Sequence, residues 1–185
     1  LISANTVRAP YYIYPLGLDY VAGTLTGHEV KTADINPAGG ADQLVKIIAG
    51  FGPDVIGLSL RNIDNTDVQD SKGYVARYRE LIDAIRAHSA APIVLGGSGF
   101  TIFPEELMKA LQADYGVIGE GERMALLLEA LENRRDPSAV PGVITRTSPG
   151  GYPPPLDGRF RRKFDGGAIA QFYIERGGML NLQTK

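Results

Sequence analysis

Two apolar runs end in residues suited to holding a ligand, not to cutting or building one. Asp54-Val55-Ile56-Gly57-Leu58-Ser59-Leu60 hands over to Arg61 and Asn62, and Pro92-Ile93-Val94-Leu95 hands over to Gly96, Gly97, Ser98 and Gly99. Hydroxyl, guanidinium and amide groups supply hydrogen bonds, and glycines let the backbone turn sharply and a bulky group approach closely. Asn5, Thr6, Tyr14 and Gly17 in an early loop, and Gly119, Glu120 and Gly121 in a late one, extend the same inventory. No catalytic constellation emerges from them. There is no cysteine nucleophile, Ser59 has no paired histidine, and His28 and His88 fall in a helix–strand turn and at a helix end. With no Cys, disulfides, thiolate zinc sites and cysteine-held iron–sulfur clusters are excluded within these 185 residues. The expectation is a binding site with no catalytic residue and no metal ligand from the protein. The glycines alone do not decide, since a ligand-free strand-to-helix turn uses them too.

The elements that must position these residues alternate. Leu1 to Ala4 reads as the end of a strand, so the beginning of the natural chain is expected upstream. Leu18, Val21, Ala22 and Leu25 mark one face of a helix from Leu16 to Thr26, and Glu29 to Asp34 reads as a second strand. Leu44, Ile47, Ile48 and Phe51 mark a second helix, closed by Gly52-Pro53 ahead of the strand Asp54 to Leu60. Tyr74, Tyr78, Leu81, Ile82 and Ile85 form the inner face of a third helix, before the strand that ends in the glycines. A helix from Phe103 to Leu111 with Pro104 in its first turn follows, then a fifth strand, Tyr115 to Ile118. A last helix packs through Met124, Leu127, Leu128 and Leu131.

This alternation predicts an α/β fold: a flavodoxin-like, Rossmann-like three-layer sandwich on a five-stranded parallel sheet of order 2-1-3-4-5. All four candidate loops then meet at the carboxyl edge of the sheet, where ligands of such sheets bind. Residues 1–136 make up this domain. Residues 137–185 hold an extra strand near Gly142 to Thr147, then a Pro- and Gly-rich arm whose basic run, Arg159 to Lys163, reads as a solvated face.

Composition narrows the class. A net charge of −2 gives no reason to expect nucleic acid or an anionic membrane, and no apolar run approaches a membrane span. No secretory signal is visible, and a cytoplasmic protein is expected. The pattern Gly119-x-Gly121-x-x-Met124 departs from the dinucleotide fingerprint at its last glycine and follows the wrong strand. Phosphoacceptor receiver domains need acidic residues after the first strand, an Asp ending the third and a Lys ending the fifth; here stand Asn5, Ser59 and Gly119.

Five stretches in order carry a resemblance. They are Pro15-Leu16-Gly17-Leu18, Gly27-His28-Glu29-Val30, the run from Asp54 through Ser59 to Asn65, Leu95 to Phe100, and Gly119 to Glu122. Together they resemble the cobalamin-binding domain that precedes the radical S-adenosylmethionine domain in B12-dependent radical enzymes. The resemblance covers Leu1 to about Arg134, and Tyr173 to Lys185 resembles the lead-in to the second domain. It implies cobalamin as cofactor, with Ser59 and the Gly96-Gly97 pair making room for the nucleotide tail. The Asp-x-His-x-x-Gly motif of methionine-synthase-like members is absent between Asn5 and Gly17. By resemblance to the radical members, cobalamin would be bound base-off without a protein histidine, with the loop of Tyr11, Tyr12 and Tyr14 near the lower cobalt face. Those tyrosines serve equally as loop packing or as a contact with a neighbouring domain.

The resemblance further implies a radical S-adenosylmethionine enzyme, methyltransferase-like, as the whole protein. Its four-iron cluster and S-adenosylmethionine would belong to a following domain outside this chain, which alone would catalyse nothing. The candidate cofactor contacts are Asn5, Thr6, Tyr14, Gly17, Ser59, Arg61, Asn62, Gly96, Gly97, Ser98, Gly99, Gly119, Glu120 and Gly121. Two other readings stand beside this one: a vestigial interaction or scaffold domain, and an FMN-binding module of the same strand order.

Overall fold

The computed structural model describes residues 1–8, 11–61, 73–157, 161–164 and 167–180. Its sheet runs β2-β1-β3-β4-β5-β6, with β1 at Ile2–Ser3, β2 at Ala33–Asp34, β3 at Ile56–Ser59, β4 at Ile93–Gly96, β5 at Tyr115–Val117 and β6 at Val143–Thr145. The first five strands are parallel in the expected order. The sheet has six strands, not five, because the extra strand pairs antiparallel with β5, Gly116 opposite Ile144. Between β5 and β6 the chain passes through the helix Met124–Glu132 and turns at Gly142, φ +84°, which brings β6 back along the open edge of β5.

Alternation along the buried strands divides the core. Ile93 and Leu95 of β4 face one side with Leu44, Tyr78 and Ile85, while Val94 faces the other with Met124 and Leu127. The first layer holds α3 (Ala41–Phe51), α4 (Tyr74–Arg86) and α6 (Pro104–Leu111); the second holds α1 (Leu16–Thr24) and α7 (Met124–Glu132). The face of α4 is the one its spacing predicts: Tyr74, Tyr78, Leu81, Ile82 and Ile85 are all buried. Burial of each such side chain contributes about 1.5–3 kcal/mol.

Several elements differ from the sequence reading. The second strand is confined to Ala33–Asp34 and runs straight into a short helix, α2 (Ile35–Ala38), whose first turn is capped by the Asp34 carboxylate at 2.8 Å from Asn36 N. The glycine run opens at once into a short helix, α5 (Ser98–Ile102), before α6. Residues 168–177, expected to be part of an extended arm, form a helix, α8 (Ala168–Gly177). No helix among the described residues is long and apolar enough to cross a membrane.

Helix α8 is held by aromatic and polar contacts. Tyr173 is fully buried beside Tyr12, Tyr14 and Phe172. Its hydroxyl donates to Asp34 Oδ2 at 3.1 Å and accepts from Asn36 Nδ2 at 3.3 Å. Burial pushes the Asp34 carboxyl above its usual range, and burial with the Asp34 charge beside it pushes the Tyr173 phenol up as well.

Candidate functional site

A cavity of about 1040 Å³ opens at the carboxyl edge and runs down the sheet beneath α1 and the start of α7. Its floor is backbone and short side chains of three adjacent strands, from Gly57 and Ser59 of β3 through Val94 and Gly96 of β4 to Val117 of β5. Its roof is Leu16, Gly17, Tyr20 and Val21 of α1, with Gly121, Glu122 and Met124 from the 3₁₀ turn at Gly121–Arg123 and α7. The volume lies at the upper end of what small-molecule sites offer.

Ten of the sequence-predicted residues meet in this lining: Tyr14, Gly17, Ser59, Arg61, Gly96, Gly97, Ser98, Gly119, Glu120 and Gly121. Asn5, Thr6 and Gly99 do not. Asn5 is buried, with its side chain accepting from Val7 N at 3.1 Å and its carbonyl from Asn36 Nδ2 at 2.7 Å, so it shapes the loop after β1. Thr6 Oγ1 is buried with no hydrogen-bond partner among the described residues. Asn62 lies outside the described residues, as do Arg159 and Asn181 to Lys185.

The glycines have separate tasks. Gly97 adopts φ +95°, and a Cβ there would meet the Leu60 carbonyl at 2.6 Å and Ser59 Oγ at 2.8 Å. Its role is to let the β4 loop lie against β3, not to give clearance to a ligand as the sequence suggested. Gly99 does the same, a Cβ meeting the Arg61 carbonyl at 2.8 Å, and Gly121 admits Val21 of α1 at 2.7 Å. Gly96 differs: a Cβ there would have open space, with the Val117 carbonyl the nearest neighbour at 3.8 Å.

The polar groups are also divided. Tyr14 borders the cavity, but its hydroxyl donates inward to Asp19 Oδ1 at 2.8 Å; burial and that contact raise its pKa. Asp19 Oδ2 accepts from Arg162 Nε at 2.7 Å, and the guanidinium lies 4.3 Å from the centre of the Phe164 ring. The basic run is therefore no solvated face at Arg162, which is four-fifths buried. Glu120 Oε2 accepts from Leu156 N at 3.2 Å and lies 3.5 Å from the buried Arg123, which also bonds the Pro154 carbonyl. The segment after β6 is thus fastened to both walls of the cavity, at Glu120 beyond β5 and at Asp19 on α1.

The sequence reading missed the depth of the cavity. Gly57 sits in the middle of β3, where a Cβ would lie 2.9 Å from Leu1 Cδ2 and 3.7 Å from Met124 Cε. An isolated glycine inside an apolar strand is the signal that could have found it. Neither histidine is near: His28 Nδ1 lies 3.5 Å from Glu132 Oε1 at the amino edge, and His88 Nδ1 lies 3.0 Å from the Ala84 carbonyl at the end of α4. Among the described residues no group of histidine, cysteine and carboxylate side chains could hold a metal ion. The geometry suits binding of a large ligand between backbone walls.

The family model described as "B12 binding domain" matches residues 2–129. The tryptophan 2-C-methyltransferase of Streptomyces laurentii is 30% identical over 86% of this chain and 28% of its own length. Among solved structures, the radical S-adenosylmethionine methyltransferase TsrM from Kitasatospora setae, with cobalamin and a [4Fe-4S] cluster bound, superposes with a TM-score of 0.72. It is 29% identical over 87% of this chain and 30% of its own. The cobalamin-dependent radical enzyme OxsB, with aqua-cobalamin and S-adenosylmethionine bound, shares the fold at a TM-score of 0.65 and 17% identity, over 84% of this chain and 22% of its own. The chain thus spans under a third of the length of these relatives.

Proposed function

The chain belongs to the B12-binding domain family, and from that premise we propose that it holds cobalamin in the carboxyl-edge cavity on behalf of a methyl-transferring radical S-adenosylmethionine enzyme. The observation that carries the reading is the cavity itself. It is about 1040 Å³, and at Gly96 on its floor a side chain would project into free space. Such a floor fits the flat, bulky nucleotide tail of the cofactor, and Ser59 and Ser98 hydroxyls stand at its mouth as hydrogen-bond partners for amide groups. The FMN and scaffold readings lack a comparable observation.

Bound cobalamin supplies a cobalt that carries and transfers a methyl group. This chain's own residues contribute binding, orientation and exclusion of water. The walls from α1 and α7 cover the apolar floor, while the Tyr14 hydroxyl is turned inward, keeps its proton and donates it in a hydrogen bond to Asp19. Both histidines are remote from the cavity, so neither would serve as a ligand to a cobalt held there. Residues 1–136 form the binding domain in this proposal, and residues 137–185 lead toward the radical domain, which holds the iron–sulfur cluster and S-adenosylmethionine. A cytoplasmic setting is part of the same proposal. The test is to mix the protein with hydroxocobalamin or FMN, desalt, and record the visible spectrum. Retained cobalamin without retained FMN is expected; retention of neither by folded protein would favour a scaffold role.

A further inference from the structure

The two glycine loops that line the cavity, after β4 and after β5, are tied together by a side chain that belongs to neither. Thr101 Oγ1, in the short helix α5, donates to the Gly97 carbonyl at 3.1 Å and accepts from the Gly119 N–H at 3.0 Å. One hydroxyl has one proton to donate and lone pairs to spare, so the two bonds coexist. The first is the usual back-bond of a helical threonine to the carbonyl four residues earlier. The second crosses from one strand's loop to the next, over 18 residues of sequence. Both glycines it reaches have positive φ, +95° at Gly97 and +80° at Gly119. Those are the positions where a chain without Cβ atoms has most freedom to shift. The Thr101 carbonyl also accepts from the Tyr152 hydroxyl at 2.6 Å, so the segment after β6 is anchored at the same point.

We infer that Thr101 is a positioning residue for the cavity: its hydroxyl sets the spacing of the Gly97 and Gly119 loops and so keeps the cofactor wall preformed. This rests on the cavity being the cobalamin site. A ligand entering a wall that must first be ordered loses affinity to that ordering. Removing the hydroxyl should therefore weaken binding although Thr101 borders neither the floor nor the roof.

The experiment compares T101V, which keeps the shape and loses the hydroxyl, with T101S, which restores it. Three quantities are read on each: the hydroxocobalamin Kd by equilibrium dialysis, amide hydrogen exchange at Gly119, and the thermal midpoint without ligand. For T101V we expect a Kd raised roughly five-fold, faster Gly119 exchange and a midpoint close to wild type. T101S should return both Kd and exchange to wild-type values. A folded T101V with unchanged Kd overturns the inference, as does a T101S that restores neither. Should T101V fail to fold, T101A takes its place in the same comparison with T101S. Loss of the underlying site assignment looks different: wild-type protein itself would retain no cobalamin.

Discussion

The sheet has a cavity at each end, and the two are built in opposite ways. The amino-edge cavity, about 400 Å³, is lined by the charged or titratable side chains His28, Glu29, Lys31, Asp54 and Glu132, set among Leu25, Phe51 and Leu131. The carboxyl-edge cavity, more than twice as large, includes Arg61, Glu120 and Glu122 in its lining, but its floor is glycine and strand backbone. The backbone tells them apart. Glycines of the amino edge, Gly27 and Gly52, have positive φ but open space where a Cβ would go, as ordinary chain turns do. At the carboxyl edge a Cβ on Gly97 or Gly99 would collide with a neighbouring strand's backbone, so those loops are packed together to make a wall.

The largest effect is expected where that contrast is sharpest. Gly97→Ala must accept both an unfavourable φ and the Leu60 carbonyl at 2.6 Å. It should cost about 2–4 kcal/mol of stability and abolish cobalamin retention. Gly52→Ala, with φ +63° and nothing nearby, should cost only about 1–2 kcal/mol and leave retention intact. Urea unfolding and desalting read both outcomes, and equal costs at the two sites would remove the distinction between wall and turn.

Filling the cavities is the next test. Gly96→Leu has room for its Cβ, so the fold should persist while cobalamin affinity falls by roughly ten-fold or more through lost space. Leu131→Phe, which narrows the amino-edge cavity, should leave affinity unchanged. If both variants bind as wild type, the carboxyl-edge floor is not where the ligand lies.

Much of this was legible in the sequence because it is local. The α4 stripe from Tyr74 to Ile85 follows from helical spacing, and the strand order follows from alternation and the right-handed crossover. What escaped depends on partners far along the chain. Arg162 reads as one of a solvated cluster until Asp19, 143 residues earlier, is found buried beneath it. Glu120 reads as a ligand contact until Leu156 and Arg123 claim its carboxylate. Gly97 reads as clearance for a ligand, since the sequence shows that a Cβ is missing but not that it would strike the Leu60 carbonyl.

A smaller effect is expected at the amino ends of β4 and β5, where Asp114 bonds Ile93 N and Arg86 and pairs with Arg146, each at 2.8 Å. Burial works to raise this carboxyl, but the Ile93 and Arg86 bonds and the Arg86 and Arg146 charges outweigh it and hold it below the usual carboxylate range. A depressed folded pKa gives stability that is present above the unfolded value and lost as pH falls through the folded one. Asp114→Asn should thus cost about 1–2 kcal/mol at neutral pH, and the deficit should shrink below pH 4. Cobalamin affinity should not move, because the residue serves the strand ends away from the site. A deficit that stays constant with pH would assign the loss to packing instead of charge.

The smallest effect expected is none, and it bears on the cobalt. His28 and His88 are the only histidines in the chain. His28 sits after Gly27 at the amino edge, with Nδ1 3.5 Å from Glu132 Oε1, and His88 closes α4 against the Ala84 carbonyl. The four residues of β3 alone separate the amino edge from the carboxyl edge by roughly 13 Å. An imidazole reaches only a few ångströms from its backbone, so neither can approach a cobalt held at the mouth of the carboxyl-edge cavity without unfolding its own turn. His28→Ala and His88→Ala should each leave the visible spectrum of the bound cofactor unchanged, including the bands that report a nitrogen below cobalt. His28→Ala should also cost at most about 1 kcal/mol, the value of a solvent-exposed pair. A spectral shift in either variant would mean that the ligand enters from the other end of the sheet, and the contrast between the two cavities would have to be read in reverse.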